Sequence, residues 1–363
     1  MEYLKSVFDL RRIRLLISAG ISVVLGLIIV LISKNAVAKL DDQYLAERWS
    51  EEGDYVQATV FLSELADFTN DSIKEFDYKV SNKLKQDSIM AENEDARLWI
   101  YAYSAGGKVS VSTESNSVDV RAYGVGGDFF LFHPLTFVTG SFFNNDDANK
   151  DLVVIDTDTA WKLFGSNNVV GQVVEIGGVR HIVTGVVEKD EGRLNDIAGN
   201  AEPVIYLSFE SLSSNGKITY INSVETLMPN PITNYAVTTL EEIIPSEASR
   251  FTVIQNTGRF NWVSLLKNVK NFGTRGMNGK SIVYPYWENL ARGYEDYLTP
   301  VTVLGCLLFV YPCGLLFYIL GRMWKKRTIH GKDIKIFIEN RIEDYRERKK
   351  KRKEEDFEYE EID

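Results

Sequence analysis

Leu152-Val-Val-Ile-Asp-Thr-Asp-Thr-Ala-Trp-Lys-Leu-Phe-Gly165 and the following Val170-Gly-Gln-Val-Val-Glu-Ile-Gly-Gly-Val-Arg-His-Ile-Val-Thr-Gly-Val-Val187 decide how the middle of this chain folds. Leu152–Ile155 is a short β-branched run and reads as a strand. Thr159–Phe164 reads as a short helix that Gly165 can cap. Val173–Ile176 and His181–Val187 read as two strands joined at Gly177-Gly178, a hairpin turn signal. Gly171 can turn the chain into that hairpin. Gly185 interrupts an otherwise apolar strand, which predicts a bulge or a close backbone approach.

Upstream, Leu98–Ser104 and Val109–Thr113 read as strands with a turn at Gly106-Gly107, and Val118–Tyr123 as a third strand. Residues 35–90 contain no Pro, and Tyr55, Val56, Val60, Phe61, Leu65 and Phe68 recur mostly every three or four residues. Ile73, Phe76, Val80 and Leu84 do the same, so the whole stretch reads as helix. Downstream, Pro229-Asn-Pro231 breaks the chain before a helix over Asn234–Ile243. Phe251–Gln255 then reads as a strand and Phe260–Val269 as a helix. The middle block is therefore a mixed α+β domain.

Two charge-free apolar runs flank it. Residues 15–33 lie between Arg14 and Lys34, and residues 297–321 between Asp296 and Arg322, giving 19 and 25 residues. Each is close to the roughly 20 residues that cross a bilayer as helix. Lys5, Arg11, Arg12 and Arg14 precede the first run, and Arg322, Lys325, Lys326 and Arg327 follow the second. Basic flanks on both outer ends predict two cytoplasmic termini and an extracytoplasmic middle. Ala36-Val37-Ala38 matches a signal-peptidase pattern, but the first run exceeds the usual signal core, so it is read as a retained span. Pro312 predicts a kink in the second span. Tyr284, Tyr286 and Trp287 stand just outside that span and predict an interfacial aromatic belt.

The 363 residues carry a net charge of −10. Residues 35–297 hold 22 Lys+Arg and 37 Asp+Glu, so 22 − 37 = −15; the two ends hold the other 19 and 14, so 19 − 14 = +5. An acidic middle argues against nucleic acid as its partner. The organisation expected is a cytoplasmic amphipathic start at 1–14, a transmembrane helix at 15–33 and a helical stalk at 34–95. An extracytoplasmic α+β domain at 96–297, a second transmembrane helix at 298–321 and a charged cytoplasmic tail at 322–363 complete it.

Catalytic signals are weak. Met277-Asn-Gly-Lys-Ser281 ends like a phosphate-binding loop, but position 274 is Thr where that loop needs Gly. Gly124-Val-Gly-Gly127 has the wrong spacing for a dinucleotide fingerprint and reads as a tight turn. His133, His181 and His330 show no metal-ligand spacing, and His133 is assigned to packing or capping. Asp146-Asp147 and Glu241-Glu242 read as solvated pairs. Asn70-Asp-Ser72 is a formal glycosylation acceptor, relevant only in a eukaryotic secretory route. The two cysteines, Cys306 and Cys313, both lie in the second span, seven residues apart on one helix and out of disulfide reach. The domain is expected to fold without metal, cofactor or disulfide, and the chain is expected not to be an enzyme.

Taken in order, Tyr123-Gly-Val-Gly-Gly-Asp-Phe-Phe130, Gly140-Ser-Phe-Phe143, Leu152–Ile155 before Ala160–Gly165, Val170–Gly177 and Ile182–Val187 resemble the MacB-like periplasmic core domain of FtsX-type ABC transporter permeases. The resemblance implies a MacB-like α+β ectodomain carried by transmembrane helices. Family permeases of this type have four spans, three of them after the ectodomain, so this chain resembles a short two-span member. MacB also carries an ATPase domain, whose phosphate-binding loop has no counterpart in this sequence. The resemblance implies a non-catalytic membrane subunit of an ABC-type exporter or mechanotransmission complex, with an ABC ATPase subunit and a four-span permease as partners. An independent membrane-anchored binding or receptor-like module is the alternative.

The segment after the second span contacts the ATPase in such permeases. Here Ile334, Phe337, Ile338 and Ile342 share one helical face, near the basic run Lys349–Lys353. That face is a candidate for ATPase coupling or for membrane lipid.

Overall fold

The computed structural model describes residues 10–360 apart from 51, 92, 94–95, 145–148, 215–217, 245, 273 and 275–279, with backbone alone at 10–12, 326–335, 337 and 348–360. The start at residues 1–9, the Asp146-Asp147 pair and Met277–Gly279 lie outside the described residues. The chain forms two compact units, Met1–Ile32 with Val303–Asp363, and Ser33–Thr302.

The first unit holds the apolar parts of helix α1 (Leu10–Val37) and of the long C-terminal helix (Tyr286–Glu360). Both contain stretches long and apolar enough to cross a membrane, Ile13–Val37 and Tyr286–Lys325. Small residues set their contact. A Cβ on Gly26 would stand 2.7 Å from the Phe309 ring, and one on Gly305 3.4 Å from Ile29. Ser22 Oγ donates to the Leu308 carbonyl at 2.6 Å, and Ser18 Oγ lies 2.9 Å from the Tyr311 hydroxyl. Close backbone approach and interhelical hydrogen bonds are the means by which helices associate where water supplies no hydrophobic drive. The C-terminal helix stays helical through Pro300 and Pro312.

The second unit is built on a ten-stranded sheet among the described residues, in the order β10-β1-β9-β2-β3-β8-β5-β7-β4, with β6 pairing β2 and β7. The strands are β1 (Tyr55–Leu62), β2 (Ile100–Ser112), β3 (Ser117–Gly127), β4 (Phe137–Gly140), β5 (Leu152–Asp156), β6 (Val173–Ile176), β7 (Val179–Val187), β8 (Val204–Ser208), β9 (Ser223–Pro229) and β10 (Phe251–Gln255). Among the described strand pairs, only β3–β8 and β5–β7 are parallel.

Alternation along the strands feeds two cores. Tyr103 and Ala105 of β2, with Ile205 and Leu207 of β8, face the first core. Ile100 and Ala102, with Val204 and Tyr206, face the second. Helix α2 (Leu45–Trp49) and helix α4 (Phe129–Phe132) supply the second core, joined by Tyr286 and Trp287. Helix α3 (Asn70–Gln86) covers the first core through Ile73, Phe76, Val80 and Leu84, spaced three, four and four apart on one face. Fully burying one such side chain contributes about 1.5–3 kcal/mol. Helix α5 (Thr157–Phe164), helix α6 (Phe209–Ser214) and helix α7 (Tyr235–Ile243) complete that layer.

Much of the expected pattern is present. Asp156 caps α5 by accepting from the Thr159 N–H at 2.7 Å, and Gly165 ends it in the left-handed conformation. Gly177-Gly178 turns β6 into β7 with positive φ at both residues. At Gly185 the β5–β7 register slips, and an added Cβ would lie 2.6 Å from the Phe137 ring and 2.7 Å from the Ser141 carbonyl.

Three readings need correction. The stretch 34–95 is not a continuous helical stalk, because Tyr55–Leu62 is a strand paired to β9 and β10. Its buried Val56, Ala58, Val60 and Leu62 alternate with period two, and the apparent helical recurrence mixed residues from both faces. Gly106-Gly107 is no turn; β2 runs straight through it, and the hairpin closes at Thr113–Asn116. A Cβ on Gly107 would run into the Ile218 side chain, which packs over the strand and would have to shift. Gly124–Gly127 likewise continues β3 rather than forming a turn, with Gly126 under the Tyr103 ring.

Candidate functional site

The polar chemistry of the second unit gathers where the chain leaves α1 and where it enters the C-terminal helix. Beyond Val37 the chain makes one turn, Asp41–Gln43, and then α2. Strand β1 holds this segment through Gln57, which is wholly buried. Gln57 Oε1 accepts from the Leu45 N–H at 3.1 Å, and its Nε2 donates to the Asp42 carbonyl at 2.7 Å. Gln43 Oε1 in turn accepts from Asn256 Nδ2 at 2.9 Å and from Arg259 Nη1 at 3.2 Å, both just past β10.

Arg259 carries the network to helix α9, the C-terminal helix once the short helix α8 (Trp262–Asn268) is counted. Its guanidinium makes two bonds to Glu288, at 2.7 and 2.9 Å, and its Nε lies 2.9 Å from Glu295. Arg292 Nε donates to Glu288 at 2.7 Å. Two cations thus face two carboxylates. Burial alone would lower the Arg259 pKa, but the Glu288 and Glu295 charges outweigh it and raise it. The helix turn brings residues 288, 292 and 295 onto one face.

A second ionic pair lies under the aromatic core. His133 Nε2 sits 2.7 Å from Glu225 Oε1 of β9, with both side chains buried. The imidazole stacks on Phe129 at 4.4 Å and meets Trp287 at 4.6 Å. Burial pulls its pKa down, yet the Glu225 charge, the hydrogen bond to it and the nearby Asp42 hold it above the ordinary value, against Arg48. Burial also raises the pKa of Asp42. Beside this pair lies a cavity of about 140 Å³, whose walls include Asp42, His133, Asp156, Lys189, Tyr206 and Trp287.

His181 and Ser211 form the one arrangement with the look of a nucleophile and base among the described residues. The His181 Nδ1 faces the Val179 carbonyl at 3.0 Å and must donate, so Nε2 accepts from Ser211 Oγ at 2.6 Å. Both residues are buried, so no substrate reaches the hydroxyl. No group of three or more metal-ligating side chains occurs among the described residues.

Ile334, Phe337, Ile338 and Ile342 all fall within α9. Ile338 and Ile342 are exposed, one helical turn apart; of Ile334 and Phe337 the backbone alone is described. Tyr286 and Trp287 do not form the expected interfacial belt. They are buried in the second core against Tyr123 and Phe129. Tyr284 packs on Phe61 and beneath the Arg292 guanidinium.

The MacB-like periplasmic core domain family matches residues 15–243 of this chain, well over half of it. The chain belongs to that family. The match runs from α1 through α7, and so contains Gln43, His133 and Glu225 but ends before Arg259 and Glu288. The macrolide export ATP-binding/permease protein MacB of Escherichia coli K12 is 31% identical over 120 residues, covering 32% of this chain and 18% of MacB. The protein of that name in Shigella flexneri gives the same figures. The chain therefore spans about a fifth of the length of these relatives. Among solved structures, the periplasmic region of MacB from Actinobacillus actinomycetemcomitans is similar at 14% identity and TM-score 0.42, covering 59% of this chain and 92% of that one. The extracellular domain of the ABC-type transporter YknZ from Gram-positive bacteria gives 18% identity and TM-score 0.37, covering 55% of this chain and 99% of that one.

Proposed function

We propose that this MacB-like chain is a non-catalytic membrane subunit of an ABC-type exporter or mechanotransmission complex, working with an ABC ATPase and a four-span permease. In this reading both termini face the cytoplasm and the sheet domain faces outward, which the basic flanks of the two spans support. The observation that carries the reading is the buried network from Gln43 through Asn256 and Arg259 to Glu288 and Glu295. It binds the segment leaving the first span and the helix entering the second to the same edge of the sheet. A displacement of either helix end is thereby passed to β1 and β10 without loss in a soft linker. The exposed face at Ile338 and Ile342, with Ile334 and Phe337 beside it in sequence, is the coupling point for the ATPase.

The second reading, an independent anchored binding module, is favoured by the cavity beside His133. The two are separated by purifying the tagged chain from its native membranes. An export subunit brings with it a vanadate-sensitive ATPase activity that the chain alone lacks. An anchored module arrives without one.

A further inference from the structure

Helix α8 and the turn after it carry an apolar surface that the domain does not cover. Trp262 is 65% exposed, Val263 44%, Val269 48% and Phe272 49%. On a helical projection Trp262, Val269 and Phe272 fall beside Leu265, Val263 lies on the far side next to Lys270, and Ser264, Lys267, Asn268 and Asn271 fill the remaining arc. Leu265 is the only buried member of α8, and its neighbours identify the location. It packs with Val37 and Leu298, and Tyr44, Phe260 and Tyr294 border that cluster. Val37 is the last residue of α1, four residues past the end of the first charge-free apolar run, and Leu298 lies at the start of the second.

We infer that α8 with its following turn lies in the headgroup layer of the outer leaflet, as an interfacial anchor docked on the lipid surface. A helix seated against the two span ends is held at the depth where those spans leave the bilayer. Trp is favoured at that depth because its ring buries apolar area while the indole N–H stays wet, and Phe adds apolar area to the buried face. Lys267 and Lys270 are both exposed and place cations within reach of lipid phosphates. Tyr297, 62% exposed next to Leu298, continues the same band. The cluster under α8 includes Leu298, where the second charge-free apolar run begins, which is why lipid is assigned rather than a protein groove. The belt expected at Tyr286 and Trp287 is supplied instead by α8.

The inference rests on the two helices being membrane spans, and its test separates the two claims. The full chain with Cys306→Ser and Cys313→Ser receives a single cysteine by Trp262→Cys, Val269→Cys or Ser115→Cys. Each is labelled with an environment-sensitive fluorophore and reconstituted in phosphatidylcholine–phosphatidylglycerol vesicles. Val269→Cys retains Trp262, so agreement between the two sites excludes an artefact of removing the indole. A fourth protein keeps Cys313 alone and reports span insertion through quenching by a nitroxide deep in the acyl chains. With that insertion established, labels at 262 and 269 should lose most of their emission to a nitroxide near the headgroups and resist aqueous iodide. The label at 115, on the β2–β3 hairpin, should do the reverse. Labels at 262 and 269 that behave like the one at 115 would overturn the proposal. Protection from both quenchers would overturn it too, by showing that protein covers the helix.

Discussion

Arg259 grips Glu288 through two near-parallel hydrogen bonds, Nη1 to Oε2 at 2.7 Å and Nη2 to Oε1 at 2.9 Å, with at most 3% of either side chain exposed. One partner follows β10 and the other opens the helix that becomes the second span. Buried ion pairs gain little over apolar packing, but losing one partner is severe, because the other charge stays buried. Such a pair fixes a geometry more than it adds stability.

Arg259→Leu should therefore destabilise the sheet domain by about 3–5 kcal/mol. Adding Glu288→Leu and Glu295→Leu should restore most of the loss. Arg259→Lys should not, since an ammonium cannot reproduce the planar fork. Denaturant unfolding of the full chain in detergent, followed by tryptophan emission, measures all three. A triple variant as unstable as Arg259→Leu would count against stranded charge as the cause.

The His133–Glu225 pair sets a pH dependence. The imidazole pKa is raised in the fold, so its stabilisation is complete below the unfolded value of about 6.5. That stabilisation is lost as pH rises through the higher folded value. Asp42 acts in the same direction from a lower pH, because burial raises its carboxyl pKa and its ionisation costs the folded state. The melting temperature should fall as pH rises above about 6.5, and His133→Gln should flatten that slope. A slope unchanged by the substitution would assign the dependence to other groups.

Two glycines should respond oppositely to a side chain. Gly185→Val forces atoms against Phe137 and the Ser141 carbonyl and should cost about 2–3 kcal/mol. Gly293 lies in α9 with nothing within 4 Å of its would-be Cβ, so Gly293→Ala should stabilise the chain by about 0.5–1 kcal/mol. Unfolding midpoints that move in the same direction for both would contradict the packing at β7.

The strand–helix–hairpin core from Leu152 to Val187 was legible because its punctuation is local: a Gly stop after the helix and a Gly-Gly turn. Strand β1 was not, because both of its faces are buried. Val56 and Val60 face the first core while Gln57 and Thr59 meet the polar network, so apolar residues alone give no clean period. Gly106-Gly107 misled for a related reason: glycine there answers to Ile218, more than a hundred residues away. The ionic network left one local trace, Glu288, Arg292 and Glu295 on one helix face beside aromatics. Its decisive member, Arg259, approaches only through the pairing of β10 with β1. Trp287 sits at a span boundary in sequence but in a core in space, a distinction that hydropathy cannot make.

Topology has a direct test. With both native cysteines replaced, Ser115→Cys should react with an impermeant thiol reagent in intact cells, and Phe357→Cys only after permeabilisation. Labelling of position 357 in intact cells would reverse the assignment of the tail to the cytoplasm.

Coupling to an ATPase is the central claim, and the tail tests it most directly. Phe337→Asp with Ile338→Asp places one charge at the exposed Ile338 position and a second at its neighbour in sequence, without touching either span. The account predicts that the double variant stays in the membrane while the co-purifying ABC ATPase is lost. Recovery of the ATPase at unchanged yield would contradict the account and leave lipid as the occupant of that face.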